Sequence, residues 1–303
     1  MISDREEATD EVCANCSKTP IDDIKLKICT ACKLVKYCSV DCQKNHRPQH
    51  RKACKKRAAE IREDNLFIQP EESHLGECPI CVLPLPIDLT KSMINTCCCK
   101  FICLGCSYAN TLREMELRMG EKCPYCRAPP PKTDEEGNKN VMERGTANDP
   151  VALCEIGKKC YEEGDHTGAF ETHSKAAALG DAAGHYELSR MYDKGIGVER
   201  NPKKRAYHLE EAAIGGHPYA RNNLGCIEGN NERFDRSIKH FIIAAKLGYD
   251  DALKKVKGGF VMGLVRKEDF EAALRGYQAA VDATKSEQRE EAYKRVDTFM
   301  SSG

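Results

Sequence analysis

Residues 13–54, CANCSKTPIDDIKLKICTACKLVKYCSVDCQKNHRPQHRKAC, carry a spacing of cysteine and histidine that decides how the first part of the chain folds. The candidate ligands stand in four pairs: Cys13 and Cys16, Cys29 and Cys32, Cys38 and Cys42, His50 and Cys54. A tight Cys-x2-Cys turn aims two sulfurs at one point, and an x3 spacing on a helix places two side chains on one face. Eight such ligands are the number that two tetrahedral Zn²⁺ ions require. Pro48 fits the first turn of a short helix that would carry the last pair.

A second set of cysteines lies in residues 78–127, CPICVLPLPIDLTKSMINTCCCKFICLGCSYANTLREMELRMGEKCPYCR. It consists of the pairs Cys78 and Cys81, Cys103 and Cys106, Cys123 and Cys126, and of the triplet Cys97, Cys98 and Cys99. The N-terminus is acidic and does not have the pattern of a signal peptide, so these spacings indicate metal thiolates and not disulfides. Two more ions are therefore expected here, which makes four Zn²⁺ ions in the chain.

The whole of residues 13–54, including YCSVDCQKNHRPQHRKAC, resembles the MYND finger. That resemblance implies an interleaved arrangement, with one ion held by Cys13, Cys16, Cys38 and Cys42, and the other by Cys29, Cys32, His50 and Cys54. His46 falls outside the ligand spacing and is interpreted as a surface or packing residue. MYND fingers often bind proline-containing peptides through a tryptophan after the first histidine. Arg47 stands in that position and the chain contains no tryptophan, so the sequence leaves peptide binding open.

The tracts CPICVLPLP, ICLGC and CPYCR make residues 78–127 similar to a RING finger. The resemblance implies a cross-brace, in which the first and third pairs share one ion and the triplet and the last pair share the other. Lys100 occupies the usual histidine position, and a protonated lysine is not a zinc ligand. All-cysteine RING variants supply two adjacent thiolates before a glycine, which favours Cys97 and Cys98 as ligands, with Cys99 in the glycine position. Cys99 in place of either neighbour remains an alternative.

Many RING fingers recruit a ubiquitin-charged conjugating enzyme and hold its thioester in a reactive conformation. The residues that match this role are Ile80, Pro124 and Arg127. The resemblance thus implies an E3 ubiquitin ligase, in which the other parts of the chain hold a protein substrate. A noncatalytic scaffold that only binds proteins is the alternative, because isoleucine and proline are common in any Cys-x2-Cys turn.

A self-similar pattern begins after residue 148, where Gly180, Gly216 and Gly248 follow alanine-rich segments at separations of 36 and 32 residues. Such a period is typical of helical solenoids. The tract MYDKGIGVERNPKKRAYHLEEAAIGGH resembles a Sel1-like repeat and predicts helices over 182–192 and 203–213. Gly195 and Gly197 would form the turn between them. About three repeats and a partial fourth are expected.

The predicted fold is two small cross-braced zinc modules of irregular α+β structure, followed by an all-α solenoid of helix-turn-helix repeats. The expected segments are a MYND-type finger at 13–54, a linker or helix at 55–77, a RING-type finger at 78–127, a polar linker at 128–148, Sel1-like repeats at 149–260, and a capping helix and tail at 261–303.

The composition disfavours several other functions. The chain carries 47 basic and 47 acidic side chains, so no overall field attracts nucleic acid or a membrane. The basic tract HRPQHRKACKKR lacks interleaved aromatic residues for stacking bases, so nucleic-acid binding is not expected. No apolar stretch approaches the roughly 20 residues of a membrane span, and a cytoplasmic or nuclear location is expected. No catalytic motif is found, and the isolated Cys154, Cys160 and Cys226 are interpreted as packing or surface residues.

Overall fold

The computed structural model describes residues 12–20 and 25–300, and it describes side chains as far as residue 295. The chain divides into two compact units, Met1–Ile68 and Gln69–Gly303. Among the described residues, no helix is both long and apolar enough to cross a membrane.

The first unit is built from a short antiparallel hairpin and one long helix. Strands β1 (Lys27–Ile28) and β2 (Lys36–Tyr37) pair, and helix α1 runs from Val40 to Leu66. The Ser39 side chain accepts a hydrogen bond from the backbone N–H of Cys42, which caps the start of α1. Pro48 lies inside this helix and not in its first turn, so the expectation of a short helix starting there is wrong. Most of the segment expected as a linker or helix at 55–77 continues α1.

The second unit begins with a small cysteine-rich module. A 3-10 turn (Leu89–Lys91) leads into strand β3 (Ser92–Asn95), which pairs antiparallel with β4 (Lys100–Cys103) and is followed by helix α2 (Leu104–Glu116). The cysteine triplet forms the turn between the strands. The buried core of this module consists of Cys78, Leu85, Ile102, Cys103 and Cys106. Apart from two aliphatic side chains, this core is made of candidate ligands.

The rest of the second unit is helical, as the sequence predicts. The helices are α3 (Asp134–Thr146), α4 (Pro150–Glu162), α5 (His166–Ala178), α6 (Ala182–Lys194), α7 (Pro202–Ile214), α8 (Pro218–Asn230), α9 (Phe234–Lys246), α10 (Asp250–Val261), α11 (Lys267–Ala283) and α12 (Glu287–Met300). Helices α4 and α5, α6 and α7, and α8 and α9 form antiparallel pairs, and successive pairs stack on one another. The expected helices 182–192 and 203–213 correspond to α6 and α7.

Glycine ends several of the repeats in the predicted way. Gly180, Gly216 and Gly248 have φ values of +87°, +78° and +91° and follow the ends of α5, α7 and α9. This left-handed conformation is the one that favours glycine just after a helix. Gly195 and Gly197 adopt it in the turn between α6 and α7, with φ values of +71° and +68°.

The expectation of a polar linker at 128–148 is wrong for residues 134–146, because these residues form α3 and pack on α4. Thr133 caps α3 by accepting a hydrogen bond from the backbone N–H of Glu136. The buried residues of α3 are Gly137 and Gly145, so the helix approaches its neighbours through glycines and not through large apolar side chains. A contact face of this kind leaves no hydrophobic period in the sequence.

The C-terminal segment divides into two helices with different partners. Helix α11 packs on α9 and α10 and thus covers the last helix pair, in the position of the expected capping helix. Helix α12 leaves the solenoid and packs against α2 of the cysteine-rich module. Its charged sequence gave no indication of this contact.

One helical glycine lies in the close contact between α4 and α5, and another faces open space, so the same substitution is expected to have opposite effects at the two positions. A Cβ added at Gly157 would lie 2.6–2.7 Å from the buried ring of His173, whereas one added at Gly258 in α10 meets nothing within 4 Å. We expect Gly157→Ala to destabilise the chain by about 1–3 kcal/mol through overpacking, and Gly258→Ala to stabilise it by up to about 1 kcal/mol. Urea unfolding followed by circular dichroism measures both, and equal destabilisation by the two variants would contradict the packing argument.

Candidate metal centres

Sixteen side chains gather into four groups among the described residues. Within each group, the candidate ligand atoms all lie within 4.8 Å of one another. The groups are Cys13, Cys16, Cys38 and Cys42; Cys29, Cys32, His50 and Cys54; Cys78, Cys81, Cys103 and Cys106; and Cys97, Cys98, Cys123 and Cys126. These are the same sets that the two resemblances imply, including the interleaving of pairs in each module.

The distances within the groups fit tetrahedral zinc. Four sulfurs about 2.3 Å from one ion lie about 3.8 Å apart, whereas a disulfide bond is about 2.05 Å long. The Sγ atoms of Cys29 and Cys54 are 3.8 Å apart, and those of Cys81 and Cys103 are 3.9 Å apart. The Sγ atoms of Cys97 and Cys126 are 3.3 Å apart. The described cysteines are all free thiols, so the groups have the ligand types and spacing that Zn²⁺ prefers.

In the turns that begin at Cys78 and Cys13, hydrogen bonds lower the pKa of the first cysteine and favour the thiolate form that binds metal. The Cys103 thiol and backbone N–H groups of the turn lower the pKa of Cys78 to about 4, although burial opposes its ionisation. Burial also opposes ionisation of Cys13, but N–H groups of Cys38 and of its own turn lower its pKa to about 6. These two turns are therefore arranged to hold a negative sulfur.

The long helix α1 supplies three of the eight candidate ligands of the first module. Cys42 lies in its first turn, and His50 and Cys54 project from one face two turns further on. The His50 Nε2 atom lies 3.2 Å from Cys32 Sγ, which comes from the turn before β2. His46 belongs to no ligand group and hydrogen bonds through Nδ1 to the Tyr37 hydroxyl at 3.0 Å. Its ring also stacks on His50, so His46 is a packing residue.

The cysteine triplet separates into two candidate ligands and one packing residue. Cys97 and Cys98 face the last pair, whereas Cys99 is buried outside every group and has a φ of +51°. The Cys99 Sγ lies 3.7 Å from the Thr96 carbonyl oxygen. Burial, together with the charge of Asp149, raises the pKa of Cys99 to about 11. Cys99 thus occupies the left-handed position where a glycine is expected, and its neutral thiol is turned away from the metal group.

The residues expected to dock a partner protein line one groove on the second module. Ile80, Pro124 and Arg127 border a groove of about 490 Å³ together with residues of α2 and of the loop after it. Ile80 is 42% exposed. Arg127 does not project freely, because its guanidinium donates to Asn110 Oδ1 and to Glu114 Oε1, each at 2.9 Å.

Sequence reasoning missed two buried charged residues that lie beside the candidate sites. Glu114 is buried on α2, and besides pairing with Arg127 it accepts a hydrogen bond from the backbone N–H of Lys122 at 2.9 Å. Arg289 on α12 is buried beside Cys81. Burial alone would lower the pKa of Arg289, but its contacts with Cys81 and Cys103 raise it on balance. Neither residue gave a signal in the sequence, because Glu114 follows the polar Ser107 and Asn110 on its face of α2 and Arg289 stands in a charged segment.

Two cysteine-rich modules with four groups of candidate zinc ligands, followed by stacked helix pairs, make up the described part of the chain. Residues 13–54 match the MYND finger family. Among solved structures, the chain is similar to a Sel1 repeat protein from Oxalobacter formigenes, with 21% identity over 56% of this chain and 51% of that one, and a TM-score of 0.44. It is also similar to c5321, a protective antigen of uropathogenic Escherichia coli with an SLR fold, with 19% identity over 56% of this chain and 37% of that one, and a TM-score of 0.39. The chain thus spans about half or less of these two proteins. No curated protein matches the chain.

The placement of the triplet predicts different effects for two neighbouring substitutions. Cys98→Ser removes a candidate ligand and is expected to lower the zinc content of the purified chain by one equivalent. Cys99→Ser is expected to keep the full zinc content, because its Sγ contacts a carbonyl oxygen that a hydroxyl can also reach. Elemental analysis of both variants beside the wild type makes the measurement, and loss of zinc in Cys99→Ser would reverse the ligand assignment.

Chelation is expected to unfold the cysteine-rich module of the second unit and to leave its solenoid folded. Because metal binding and folding are one equilibrium in modules of this size, removal of zinc should expose the backbone amides of residues 78–126. Helix α12 should lose protection with them, since it packs on α2, while the solenoid helices α4–α11 keep theirs. Hydrogen exchange with mass spectrometry, with and without chelator, tests this division. Loss of protection throughout α4–α11 on chelation would contradict it.

Proposed function

We propose that the second module is a RING-type docking module that recruits a ubiquitin-charged conjugating enzyme, so that the chain acts as an E3 ubiquitin ligase. In this function, the first module and the helical repeats hold a protein substrate. The observation that carries the proposal is the groove, in which Ile80 and Pro124 from two separate Cys-x2-Cys turns meet on one surface.

Zinc has a structural role in this proposal. Four Zn²⁺ ions would be held by the four groups, and each group offers four protein ligands. A tetrahedral ion with four protein ligands has no open position for water or substrate. The ions would therefore hold the docking surface in shape without taking part in ubiquitin transfer.

The groove has the character of a protein-binding surface. Exposed apolar side chains of Ile80, Leu117 and Met119 line it, and the cations Arg113 and Arg127 lie beside them. An apolar centre with charged residues at its edge is the common composition of a docking site. The pair of Arg127 with Asn110 and Glu114 fixes the guanidinium at one place beside the groove.

That same pair favours the second candidate function, a noncatalytic scaffold. Arg127 neutralises a buried carboxylate, which is a sufficient structural reason for an arginine at this position. In a scaffold, the groove would bind a partner protein without activating a thioester. The two functions differ in whether a charged conjugating enzyme reacts faster in the presence of the chain.

The test is ubiquitin discharge to free lysine from a panel of charged conjugating enzymes, with the full chain added. We expect at least one enzyme to respond, and Ile80→Ala to slow its discharge several-fold, because loss of a central apolar contact costs more than about 1 kcal/mol. Leu89→Ala, at an exposed leucine outside the groove, is the matched control and should discharge at the wild-type rate. Zinc content should be unchanged in both variants.

Arg127 needs a different design, because its removal alone would leave Glu114 buried and unpaired. We therefore compare a double variant, which carries Arg127→Gln and Glu114→Gln, with the single variant Glu114→Gln. A further several-fold loss of discharge in the double variant supports the ligase. If no enzyme of the panel responds to the wild-type chain, the ligase proposal fails and the scaffold function takes its place.

A further inference from the structure

Arg289 connects the C-terminal helix to the first metal group of the second module. Its side chain is 1% exposed, although it lies 208 residues from Cys81 along the chain. Nη1 donates to the carbonyl oxygens of Pro84 at 2.7 Å and Thr284 at 2.8 Å. Nη2 donates to the carbonyl oxygen of Leu83 at 3.1 Å and to the Sγ of Cys81 at 3.3 Å. The guanidinium thus ties a candidate ligand to the loop that follows it.

Helix α12 reaches this position because Gly105 leaves room for it. Gly105 lies between Cys103 and Cys106, two members of the same metal group. A Cβ at Gly105 would lie 2.8 Å from Arg289 Cγ and 2.9 and 3.0 Å from its backbone Cα and N atoms. The Gln288 side chain donates to the Gly105 carbonyl oxygen at 3.0 Å. The backbone of α12 is therefore in direct contact with the turn that carries two candidate ligands.

An ion bound by these four thiolates would leave a negative charge that a neighbouring cation stabilises. One Zn²⁺ ion with four thiolates has a net charge of about −2, and three of these four cysteines are buried. A buried negative charge is costly unless a cation or hydrogen-bond donors compensate it. Arg289 supplies both, since its fixed positive charge lies next to Cys81 and one of its N–H groups points at the sulfur.

We propose that Arg289 is a positioning residue of the metal centre formed by Cys78, Cys81, Cys103 and Cys106, and that occupancy of this centre and docking of α12 stabilise each other. The proposal rests on the proposed zinc ligands and is independent of ubiquitin transfer. It assigns the C-terminal helix a role in metal retention, in addition to its packing on α2. By linkage, whatever displaces α12 weakens zinc binding at this centre by the same factor that zinc strengthens docking.

Substitution of cadmium for zinc gives the experiment a separate signal for each ion. In the fully ¹¹³Cd-loaded full-length chain we expect one resonance per ion. Arg289→Met should shift one of them, because the Cys81 thiolate bound to that cadmium loses its hydrogen bond from Arg289. In the zinc-loaded Arg289→Met variant, one equivalent of zinc should transfer to a competing chelator about 10-fold or more faster than it does from the wild type. Effects of this size are typical when a residue that hydrogen bonds to a metal ligand is removed. Arg289→Lys keeps the charge and should give an intermediate rate.

Two further variants separate this role from general stability. Gly105→Ala keeps the arginine in the sequence but displaces α12, and Arg289 with it, from the turn that carries Cys103 and Cys106, and it should speed release of the same single equivalent. Arg275→Met, at an exposed arginine of α11 that pairs with Glu271, is the matched control and should change neither the resonances nor the release. Where Arg289→Met fails to fold, Arg289→Lys and Gly105→Ala provide the measurement.

The proposal is overturned if Arg289→Met and Arg289→Lys leave all cadmium resonances and all release rates at their wild-type values. It is equally overturned if all equivalents are released faster together, since that result means a general loss of stability. A wild-type chain that holds no metal in the second module would instead contradict the zinc ligands of the proposed function. The metal content of the wild type therefore distinguishes the two failures.

Discussion

Tetrahedral coordination by ligands from distant parts of the chain is the constraint on which both cysteine-rich modules depend. Each group combines one pair of candidate ligands with another pair about 20 or more residues away, so an ion bound there would close a loop that little else holds. The two-stranded hairpins are too short to be stable alone, and the core of the second module consists largely of its own ligands. In modules of this size, metal binding supplies most of the folding free energy.

The solenoid is held together by a different means. Its buried positions are largely alanine, for example Ala152, Ala176, Ala212 and Ala244, with larger side chains between them. Small side chains allow helix axes to approach closely, and the gain comes from many dispersion contacts instead of a few large residues. Stacked pairs of this kind remain folded without metal because each pair buries its faces against its neighbours.

The sequence predicted those features that depend on local spacing. The ligand pairs follow from the spacing of cysteine and histidine, their grouping was implied by the two family resemblances, and α6 and α7 follow from glycine and alanine periods. Helix α3 could not be predicted because its buried residues are Gly137 and Gly145, and its polar sequence has the composition of a linker. The contacts of Glu114 and Arg289 were also not predictable, since a charged residue gives no sign of burial until its partner is known.

Residues 74–127 contact the helices of the second unit at several places, and two of these contacts include hydrogen bonds. At one place Arg289 and α12 hold the turn that carries Cys103 and Cys106. At the other the backbone N–H of His74 donates to the Gly216 carbonyl oxygen at 3.1 Å, and the His74 ring stacks on His217 with centroids 4.0 Å apart.

The second attachment lies between two helix pairs of the solenoid, where α7 ends and α8 begins. Burial lowers the pKa of His74 to about 4 and that of His217 well below its usual value, so both rings are neutral at neutral pH and can stack without repulsion. Contacts at separate places restrict rotation of residues 74–127 on the helices of the second unit. This restriction would suit either proposed function, in which the groove beside Ile80 and the repeats each bind a protein.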